Sequence, residues 1–319
     1  MVQTSAPGKV ILFGEHAVVY GESAIALAVS LRFRMRVETR TSNRARSHRV
    51  DGRRVDTGHH AYFAHALAAN WTGAPLEMRT RSEIPSASGM GSSAALAVSL
   101  LGALTELGGG SIEGEGARER IARAAFETEY SVQGRASPTD TSTAAFGQGV
   151  LLAKQAMPGL LMHVQRGAAE WYVHSIKVPR LNIVVGYTGE KSGTADMVGK
   201  VRKAYERSAF IRDTVKEIGK VTMEGLTALE REDVARLGEL MDRNHQLLYN
   251  LGVSHPKLDR LVAAARPHSY GAKLTGKGGG GSMIAITDEP DEVARAIKDA
   301  GGEPYMAKIG VPGVGRDGD

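Results

Sequence analysis

One turn of small residues dominates this chain, and it reads Pro85-Ser86-Ala87-Ser88-Gly89-Met90-Gly91-Ser92-Ser93-Ala94-Ala95. The turn leads into a helical pattern of leucines that ends at Leu107. Such a turn leaves several backbone N–H groups of the helix unpaired, and the helix dipole makes that end attractive to anions. Glycine lets a ligand approach the backbone closely, and serine hydroxyls add hydrogen bonds or a metal ligand. The turn lacks the lysine of the GxxxxGK[ST] loop, so it predicts either another kind of phosphate-binding turn or an ordinary capped helix.

Length and composition predict a soluble protein of two lobes. The 319 residues exceed what one hydrophobic core usually supports, and 42% hydrophobic with 24% charged residues is ordinary for a globular chain. The lack of cysteine excludes disulfides and thiolate metal sites and favours a reducing compartment. No signal region opens the sequence, and the longest apolar stretch, 94–107, is too short to span a bilayer. We expect a cytoplasmic protein with no membrane partner.

The charge balance does not predict a nucleic-acid partner. The chain has 40 basic and 35 acidic residues, a net charge of +5, and its basic residues are not interleaved with aromatic ones. The densest basic cluster, residues 44–54, favours a solvated hairpin or loop over a binding patch. A small positive excess suits an anionic small molecule or a nucleotide equally well.

The periodicity mixes strands and helices without regular alternation, which favours an α+β fold. Helices are predicted at 59–69, 94–107, 114–131, 194–205, 209–229, 233–251, 256–265 and 291–299. Strand-like runs are found at 10–13, 17–20, 32–38, 149–153, 172–178, 181–185, 272–274, 282–286 and 303–309. Residues 133–140 contain glycine and proline and predict a loop, and the tail 310–319 is expected to be frayed.

Two further motifs combine glycines with charged residues. Residues 7–21 read PGKVILFGEHAVVYG, where Lys9, Glu15 and His16 bracket an otherwise apolar strand. Charges in these positions are costly to bury unless they are paired or bind a ligand. Residues 273–282 read KLTGKGGGGS, and four consecutive glycines cost backbone entropy that a simple connector does not require. We infer that another group approaches this backbone closely.

The three motifs, in this order and spacing, resemble those of the GHMP kinase superfamily. Within it, GEHAVVYG at 14–21 is similar to mevalonate kinases rather than galactokinases, whose counterpart typically reads GEHTDY. The segment 241–261, with Asn244 and the run LGVSHP at 251–256, supports the same resemblance, which covers about residues 6–309. It implies a two-lobed α+β fold with the active site between the lobes. The N-terminal lobe (1–180) would be ribosomal-protein-S5-like and the C-terminal lobe (181–319) ferredoxin-like.

The resemblance also implies an activity and its residues. The reaction would be the ATP-dependent phosphorylation of the 5-hydroxyl of (R)-mevalonate in isoprenoid biosynthesis, with Mg²⁺ as cofactor. Asp140 matches the catalytic aspartate, Lys9 the lysine beside it, and Ser93 and Glu129 the Mg²⁺ ligands. The turn at 85–95 matches the loop that binds ATP. Substrate-binding positions match Lys9, Glu15, His16, Ser137, Asp140, Thr194 and Gly279.

Each of these residues, taken alone, also fits a plainer role. Lys9 fits a surface lysine, Glu129 a charge on a solvated helix face, and His16 a satisfied core histidine. Asp140 fits a carboxylate that caps a turn. Within the combined motifs the functional interpretation is favoured, although for His16 it extends only to lining a pocket.

Two departures from the family pattern leave the fine geometry open. Pro138 replaces the usual glycine before Asp140, and Lys277 stands where alanine is usual in the glycine motif. Lys277 either adds a phosphate contact or is exposed, and exposure is the favoured interpretation. Neither change removes a chemical group that the reaction requires.

Two other functions compete with this interpretation. One is a related kinase acting on phosphomevalonate, homoserine or a sugar, because specificity depends on few pocket contacts. The other is a non-catalytic, nucleotide-binding regulator, which would be expected to lack the lysine or the aspartate. The chain is also a possible homodimer.

Overall fold

A computed structural model describes residues 1–40, 47–86, 88–134, 136–190 and 197–317. The strands are β1 (Val2–Phe13), β2 (Ala24–Thr39), β3 (Arg49–Val50), β4 (Arg53–Arg54), β5 (Leu76–Ser82), β6 (Gly149–Ala153), β7 (Leu160–Arg166), β8 (Ala169–Ile176), β9 (Asn182–Tyr187), β10 (Gly271–Thr275), β11 (Ser282–Ile286), β12 (Glu303–Lys308) and β13 (Gly315–Arg316). The helices are α1 (Ala61–Asn70), α2 (Ser92–Leu107), α3 (Glu115–Gln133), α4 (Thr139–Phe146), α5 (Met197–Arg207), α6 (Ala209–Glu230), α7 (Val234–Asn250), α8 (Pro256–Ala265) and α9 (Pro290–Asp299).

Strand β2 is the centre of the larger sheet. It pairs antiparallel with β1 along one edge and with β5 and β6 along the other. Phe33, Met35 and Val37 are buried while Arg34 and Arg36 point the other way, which is the period-two pattern of a strand with one covered face. Over the described ranges this sheet has nine strands in the order β4-β3-β5-β2-β6-β8-β7, and β1, flanked by β13, pairs with β2.

Helix α2 forms the centre of the helical layer on this sheet. It packs on β1 and β2 and lies beside α3 and α4. Ten of its sixteen residues are buried, which suits a helix that is apolar nearly all round. Its N-terminal end is thereby fixed beside β1, where two of the motifs meet.

The second sheet is antiparallel in the order β10-β11-β9-β12 and is covered by α7, α8 and α9. Helix α6 links the two sheets, because it packs on α7, which covers the second sheet, and also on β1 of the first sheet. A Cβ atom on Gly225 of α6 would lie 2.3 Å from Cε2 of Phe13, so the glycine allows this close approach. One cluster of buried apolar side chains includes Leu12 and Leu27 of the first sheet as well as Val185 and Ile284 of the second.

The expected α+β class is confirmed, with corrections to single elements. Residues 17–20, predicted as a strand-like run, form a 3₁₀ turn, Ala17–Tyr20. The predicted loop 133–140 is too long, because α3 extends to Gln133 and α4 begins at Thr139. Within the described part of the basic cluster, β3 and β4 form the expected exposed hairpin. The boundary between lobes at 180/181 stays a prediction.

The prediction that residues 310–319 are frayed is wrong for the described part, which ends at Asp317. Val311 and Val314 are buried, and β13 pairs with β1. Arg32 also donates hydrogen bonds to the carbonyl oxygens of Pro312 and Gly313 at 3.1 and 2.7 Å. The segment has no periodicity because glycine and proline interrupt it, so its docking depends on tertiary contacts that the sequence does not display.

Of the helices in the described ranges, none is both long enough and apolar enough to cross a membrane.

Candidate active site

Lys9 and Asp140 form an ion pair at the centre of the site. Lys9 Nζ lies 3.2 Å from Asp140 Oδ1, and the two side chains are 6% and 31% exposed. Lys9 belongs to β1, whereas Asp140 lies in the first turn of α4, where the helix dipole favours a negative charge. The pair therefore presents a partly open carboxylate next to a buried ammonium group.

The small-residue turn lies directly against this pair. The backbone N–H of Lys9 donates to the Met90 carbonyl oxygen at 2.9 Å. Gly91 has a positive φ of 72°, and a Cβ atom there would lie 3.0 Å from Lys9 Cγ and 3.7 Å from Asp140 Oδ2. The missing side chain of Gly91 thus allows the turn to touch both charged groups. Since Gly91 is also the residue before α2, it offers no side-chain acceptor to the first N–H groups of that helix.

The rest of the turn holds its own shape through backbone and hydroxyl contacts. The Ser88 hydroxyl donates to the Pro85 carbonyl oxygen at 2.8 Å, so it is used within the turn. The Ser88 carbonyl oxygen in turn accepts from the Ser282 hydroxyl at 2.7 Å. This contact joins the turn to the end of the glycine motif. Ala87 lies outside the described residues.

Ser93 and Glu129 meet on facing turns of α2 and α3. The Ser93 hydroxyl donates to Glu129 Oε1 at 3.1 Å, and Gln133 Nε2 donates to the same oxygen at 3.3 Å. Burial, and next the negative charge of Asp140, raise the pKa of Glu129 to about 7; the Ser93 hydrogen bond and the positive charges of Lys9 and Lys277 oppose this shift. A buried carboxyl that is half protonated near neutral pH gains from a cation placed beside it.

The segment before Asp140 accommodates its proline without strain. Pro138 has a φ of −71°, which is an ordinary value for proline, and it stands directly before the first residue of α4. The Ser137 and Thr139 hydroxyls are 2.9 Å apart. The replacement of glycine by proline is therefore compatible with the placement of Asp140.

Glu15 and His16 occupy the sharp turn after β1. The Glu15 side chain is 1% exposed and forms an ion pair with Lys273, whose side chain is 0% exposed. Its second oxygen accepts from Asn244 Nδ2 at 3.2 Å. His16 Nε2 lies 3.0 Å from the Lys277 carbonyl oxygen. Burial lowers the pKa of His16, while this hydrogen bond and the charge of Glu15 partly offset the effect.

The glycine motif packs tightly on the loop after α7. Gly278 has a φ of 70°, and a Cβ atom there would lie 1.9 Å from the Val253 carbonyl oxygen. That oxygen accepts from the Gly279 backbone N–H at 2.9 Å. Lys277 is exposed, as the sequence favoured, and its carbonyl oxygen contacts His16. The sequence predicted that another group approaches the backbone of these glycines closely, and at Gly278 and Gly279 that group is the Val253 carbonyl oxygen.

The structure thus brings most of the predicted residues into one region. Lys9, Asp140 and Gly91 lie against one another, and Ser93 contacts Glu129, whose charge interacts with Asp140. Glu15 and His16 contact Lys273 and Lys277 of the glycine motif. Thr194 lies outside the described residues. Sequence reasoning missed Lys273 as a partner of Glu15, although a lysine between buried residues of an apolar strand was a detectable signal.

The described residues do not form a metal site from protein side chains alone. No group of three or more histidine, aspartate or glutamate side chains in the described ranges has the spacing to hold a metal ion. The Ser93 hydroxyl and the Glu129 carboxyl do fit Mg²⁺, because this ion prefers oxygen ligands and is often held by one or two protein groups together with phosphates and water.

Comparisons with known proteins agree on one family. The chain matches the family models described as GHMP kinases N terminal domain, over residues 59–148, and GHMP kinases C terminal, over residues 226–303. It is 37% identical to the mevalonate kinase of Pyrococcus abyssi, over 98% of this chain and 97% of that protein.

Solved structures give the same result. The structure of Methanococcus jannaschii mevalonate kinase has 25% sequence identity and a TM-score of 0.79, covering 96% of this chain and 98% of that one. L. major mevalonate kinase in complex with R-mevalonate has 26% identity and a TM-score of 0.79, covering 97% and 96%.

Proposed function

The chain belongs to the GHMP kinase family, and we propose that it transfers the γ-phosphoryl group of ATP to the 5-hydroxyl of (R)-mevalonate. The observation that supports this most is the Lys9–Asp140 ion pair lying against the glycine-rich start of α2. Relatives that share more than a third of their residues with this chain over nearly its full length are mevalonate kinases.

Lys9 and Asp140 act on the alcohol and on the phosphoryl group. Phosphoryl transfer passes through a loose transition state, so positioning and charge neutralisation matter more than covalent chemistry. Asp140 accepts a hydrogen bond from the substrate hydroxyl and thereby orients the alcohol oxygen. Two roles are consistent with this contact: Asp140 accepts the proton late in the reaction, or it only orients the alcohol. Lys9 places its ammonium group beside that oxygen and neutralises charge on the transferred group.

The turn at 85–95 holds the phosphates of ATP. The first N–H groups of α2 receive no side-chain cap from Gly91, and the positive end of the helix dipole adds to their attraction for an anion. Glycines at 89 and 91 leave the backbone accessible because no side chain covers it.

Ser93 and Glu129 would hold Mg²⁺. When bound, the ion supplies charge neutralisation for the phosphate oxygens. Glu129 must be ionised to act as a ligand, and Ser93 and Gln133 already donate hydrogen bonds that favour its charged form.

The acceptor binds between the turn after β1 and the glycine motif. His16, Ser137 and Gly279 line this space together with Lys9 and Asp140, and Thr194 is proposed on family resemblance alone. Glu15 belongs to the same segment, where its carboxylate is enclosed by Lys273 and Asn244. A cytoplasmic location and a homodimer remain predictions.

A substrate panel tests the proposal and its nearest rivals. ADP release is measured for the purified protein with ATP and Mg²⁺ and with mevalonate, phosphomevalonate, homoserine or galactose in turn. We expect kcat/KM for mevalonate to exceed the others by at least about 100-fold, the discrimination that a few pocket contacts provide. Preference for another acceptor would assign the chain to a different GHMP kinase. Nucleotide binding without turnover of any acceptor would favour the regulatory alternative.

A further inference from the structure

The buried ion pair between Lys273 and Glu15 has no part in the chemistry proposed above. Lys273 Nζ donates to Glu15 Oε1 and, at 2.8 Å, to the carbonyl oxygen of Leu274. The remaining Glu15 oxygen accepts from Asn244, whose own Oδ1 is buried without a hydrogen-bond partner in the described structure. Both carboxylate oxygens of Glu15 are therefore occupied by protein donors, and its side chain is 1% exposed.

Such a pair is a poor means of stabilising a fold. The loss of hydration of two ions offsets most of their attraction, and apolar side chains of similar volume are often equally or more stabilising. Removal of only one partner is different, because it leaves an uncompensated charge in the interior. A role in fixing geometry accounts for the pair better than a role in stability.

The pair connects two segments that carry the proposed substrate site. Glu15 directly precedes His16, which is held at a φ of 61°, a strained value for a residue with a side chain. Lys273 lies on β10, the strand that leads into the glycine motif.

Two further contacts run in parallel between the same segments. The Thr275 hydroxyl accepts from the Ile11 backbone N–H at 3.0 Å and donates to the Ile11 carbonyl oxygen at 2.9 Å. His16 Nε2 contacts the Lys277 carbonyl oxygen. Since a carbonyl oxygen can only accept, Nε2 carries the hydrogen, and in the neutral ring Nδ1 remains an acceptor.

We propose that Lys273 is a positioning residue for mevalonate, which acts by holding Glu15 and thereby fixing His16 against the glycine motif. This inference rests on the proposed function. Glu15 then serves as the internal partner of Lys273 and does not touch the substrate. We expect loss of the pair to leave the nucleotide site intact, because the turn at 85–95 and the Ser93–Glu129 contact lie on other elements, and the Ser282–Ser88 hydrogen bond that joins this turn to the glycine motif is at the far end of the motif from Lys273.

The test compares one single and one double variant of the full-length protein. Lys273→Met leaves Glu15 charged and unpaired, whereas Glu15→Leu with Lys273→Met removes both charges. Glu292→Gln with Arg295→Gln is the matched control, because it removes an exposed pair on α9 with a contact of 2.7 Å. For each protein we measure thermal unfolding, affinity for a non-hydrolysable ATP analogue, and kcat and KM for mevalonate.

We expect the double variant to regain a Tm within about 4 °C of the unaltered protein. Its kcat/KM for mevalonate should stay at least about tenfold lower, with affinity for the analogue within about threefold. The control should match the unaltered protein in every measurement. A double variant that regains both Tm and kcat/KM would show that the pair is only structural and overturn the proposal.

Asn244→Leu decides the question if the double variant does not fold. It keeps both charges and removes only the amide hydrogen bond to Glu15. We expect KM for mevalonate to rise by about threefold or more with unchanged affinity for the analogue. Kinetic constants within twofold of the unaltered protein would contradict the proposal.

The proposed function and the role of Lys273 fail independently. The activity of the unaltered protein with mevalonate tests the function alone. If that protein does not phosphorylate mevalonate, the ¹⁵N shifts of the His16 ring still report whether Nε2 carries the hydrogen. We expect the Lys273 variants to lose this fixed tautomer. Its retention would overturn the inference.

Discussion

At the scale of single residues, the site depends on charges that the fold brings together from distant parts of the chain. Asp140 and Lys9 come from different elements and meet at 3.2 Å beside Gly91. Among the salt bridges of the described residues, Lys9 and Asp140 pair only with each other. Their proposed contribution is therefore placement of the alcohol and compensation of charge.

Asp140→Asn tests the carboxylate directly. The amide keeps the shape of the side chain but is a much weaker proton acceptor, so kcat should fall by roughly 10²–10⁴-fold with little change in ATP affinity. Steady-state kinetics and nucleotide titration provide the two measurements. Asp213→Asn, at an exposed position of α6, is the control and should not change either value. Near-normal turnover of the Asp140 variant would remove this residue from the mechanism.

The proposed role of Glu129 as a Mg²⁺ ligand predicts that activity depends on pH. Because its pKa in the ligand-free protein is raised to about 7, protons compete with Mg²⁺ for the carboxylate below that value. Between pH 8 and pH 6 the apparent Mg²⁺ affinity should weaken by about tenfold, as measured by Mg²⁺ titration of ADP release at saturating ATP. Glu129→Gln should bind Mg²⁺ weakly at every pH. An affinity that does not change over this range would contradict the assignment.

The same shift has a consequence for stability that can be measured without metal. The folded-state pKa of Glu129 lies above the unfolded value of 4.5, so its favourable contribution is complete below pH 4.5 and is lost as pH rises through 7. At pH 8, Glu129→Gln should therefore increase the free energy of unfolding by about 1–3 kcal/mol. Urea unfolding at pH 8 and at pH 5 measures this difference, and a destabilised variant at pH 8 would contradict it.

At the scale of elements, the sequence predicts the bounds of a helix or strand most closely where its apolar residues form a clear pattern. The predicted ranges 94–107, 272–274 and 282–286 lie within two residues of helix α2 and strands β10 and β11, because each of these elements is mostly apolar. The predicted loop 133–140 overlaps the start of helix α4, because the run TDTSTAAF is rich in residues that disfavour helix interiors. In the fold, two of those hydroxyls donate to carbonyl oxygens one turn earlier, Thr143 to Thr139 at 2.7 Å and Thr141 to Pro138 at 3.3 Å. Strand β7 was missed because it is largely exposed and lies at the sheet edge.

The start of α2 provides the prediction at this scale. Gly91→Ala and Gly109→Ala both place a methyl group on a glycine of positive φ, 72° and 83°, at opposite ends of the helix. Each should lose about 1–2 kcal/mol of stability from backbone strain. Only at Gly91 does the methyl group press on Lys9, so only that variant should lose kcat, by about tenfold or more. Kinetics and chemical unfolding of both variants provide the test, and equal loss of activity would contradict the placement.

At the scale of the whole molecule, the two sheets are joined by contacts that lie at the site itself. The Thr275–Ile11 hydrogen bonds join β10 to β1, the Ser282–Ser88 hydrogen bond joins β11 to the turn before α2, and a single apolar cluster contains residues of both sheets. The family motifs allowed the neighbourhood of Lys9, Asp140, Ser93 and Glu129 to be predicted. They did not reveal the pairing of Lys273 with Glu15, because the resemblance assigns no role to Lys273 and the spacing along the chain does not show which buried charges meet.

This continuity predicts a single unfolding transition. Lobes that share a core should lose structure together, and the calorimetric and van't Hoff enthalpies should agree. Calorimetry and circular dichroism, recorded on the same sample, measure this directly. Two separate transitions would show that the lobes are energetically independent and that the shared cluster contributes little.

The central claim is that Lys9 and Asp140 flank one alcohol oxygen next to the phosphates of ATP. Product analysis tests it most directly, with ³¹P NMR and mass spectrometry of a reaction containing the unaltered protein, ATP, Mg²⁺ and (R)-mevalonate. We predict equal amounts of ADP and 5-phosphomevalonate, and both should form far more slowly with Asp140→Asn. ADP without a phosphorylated product, or phosphate on a different hydroxyl of mevalonate, would contradict the account.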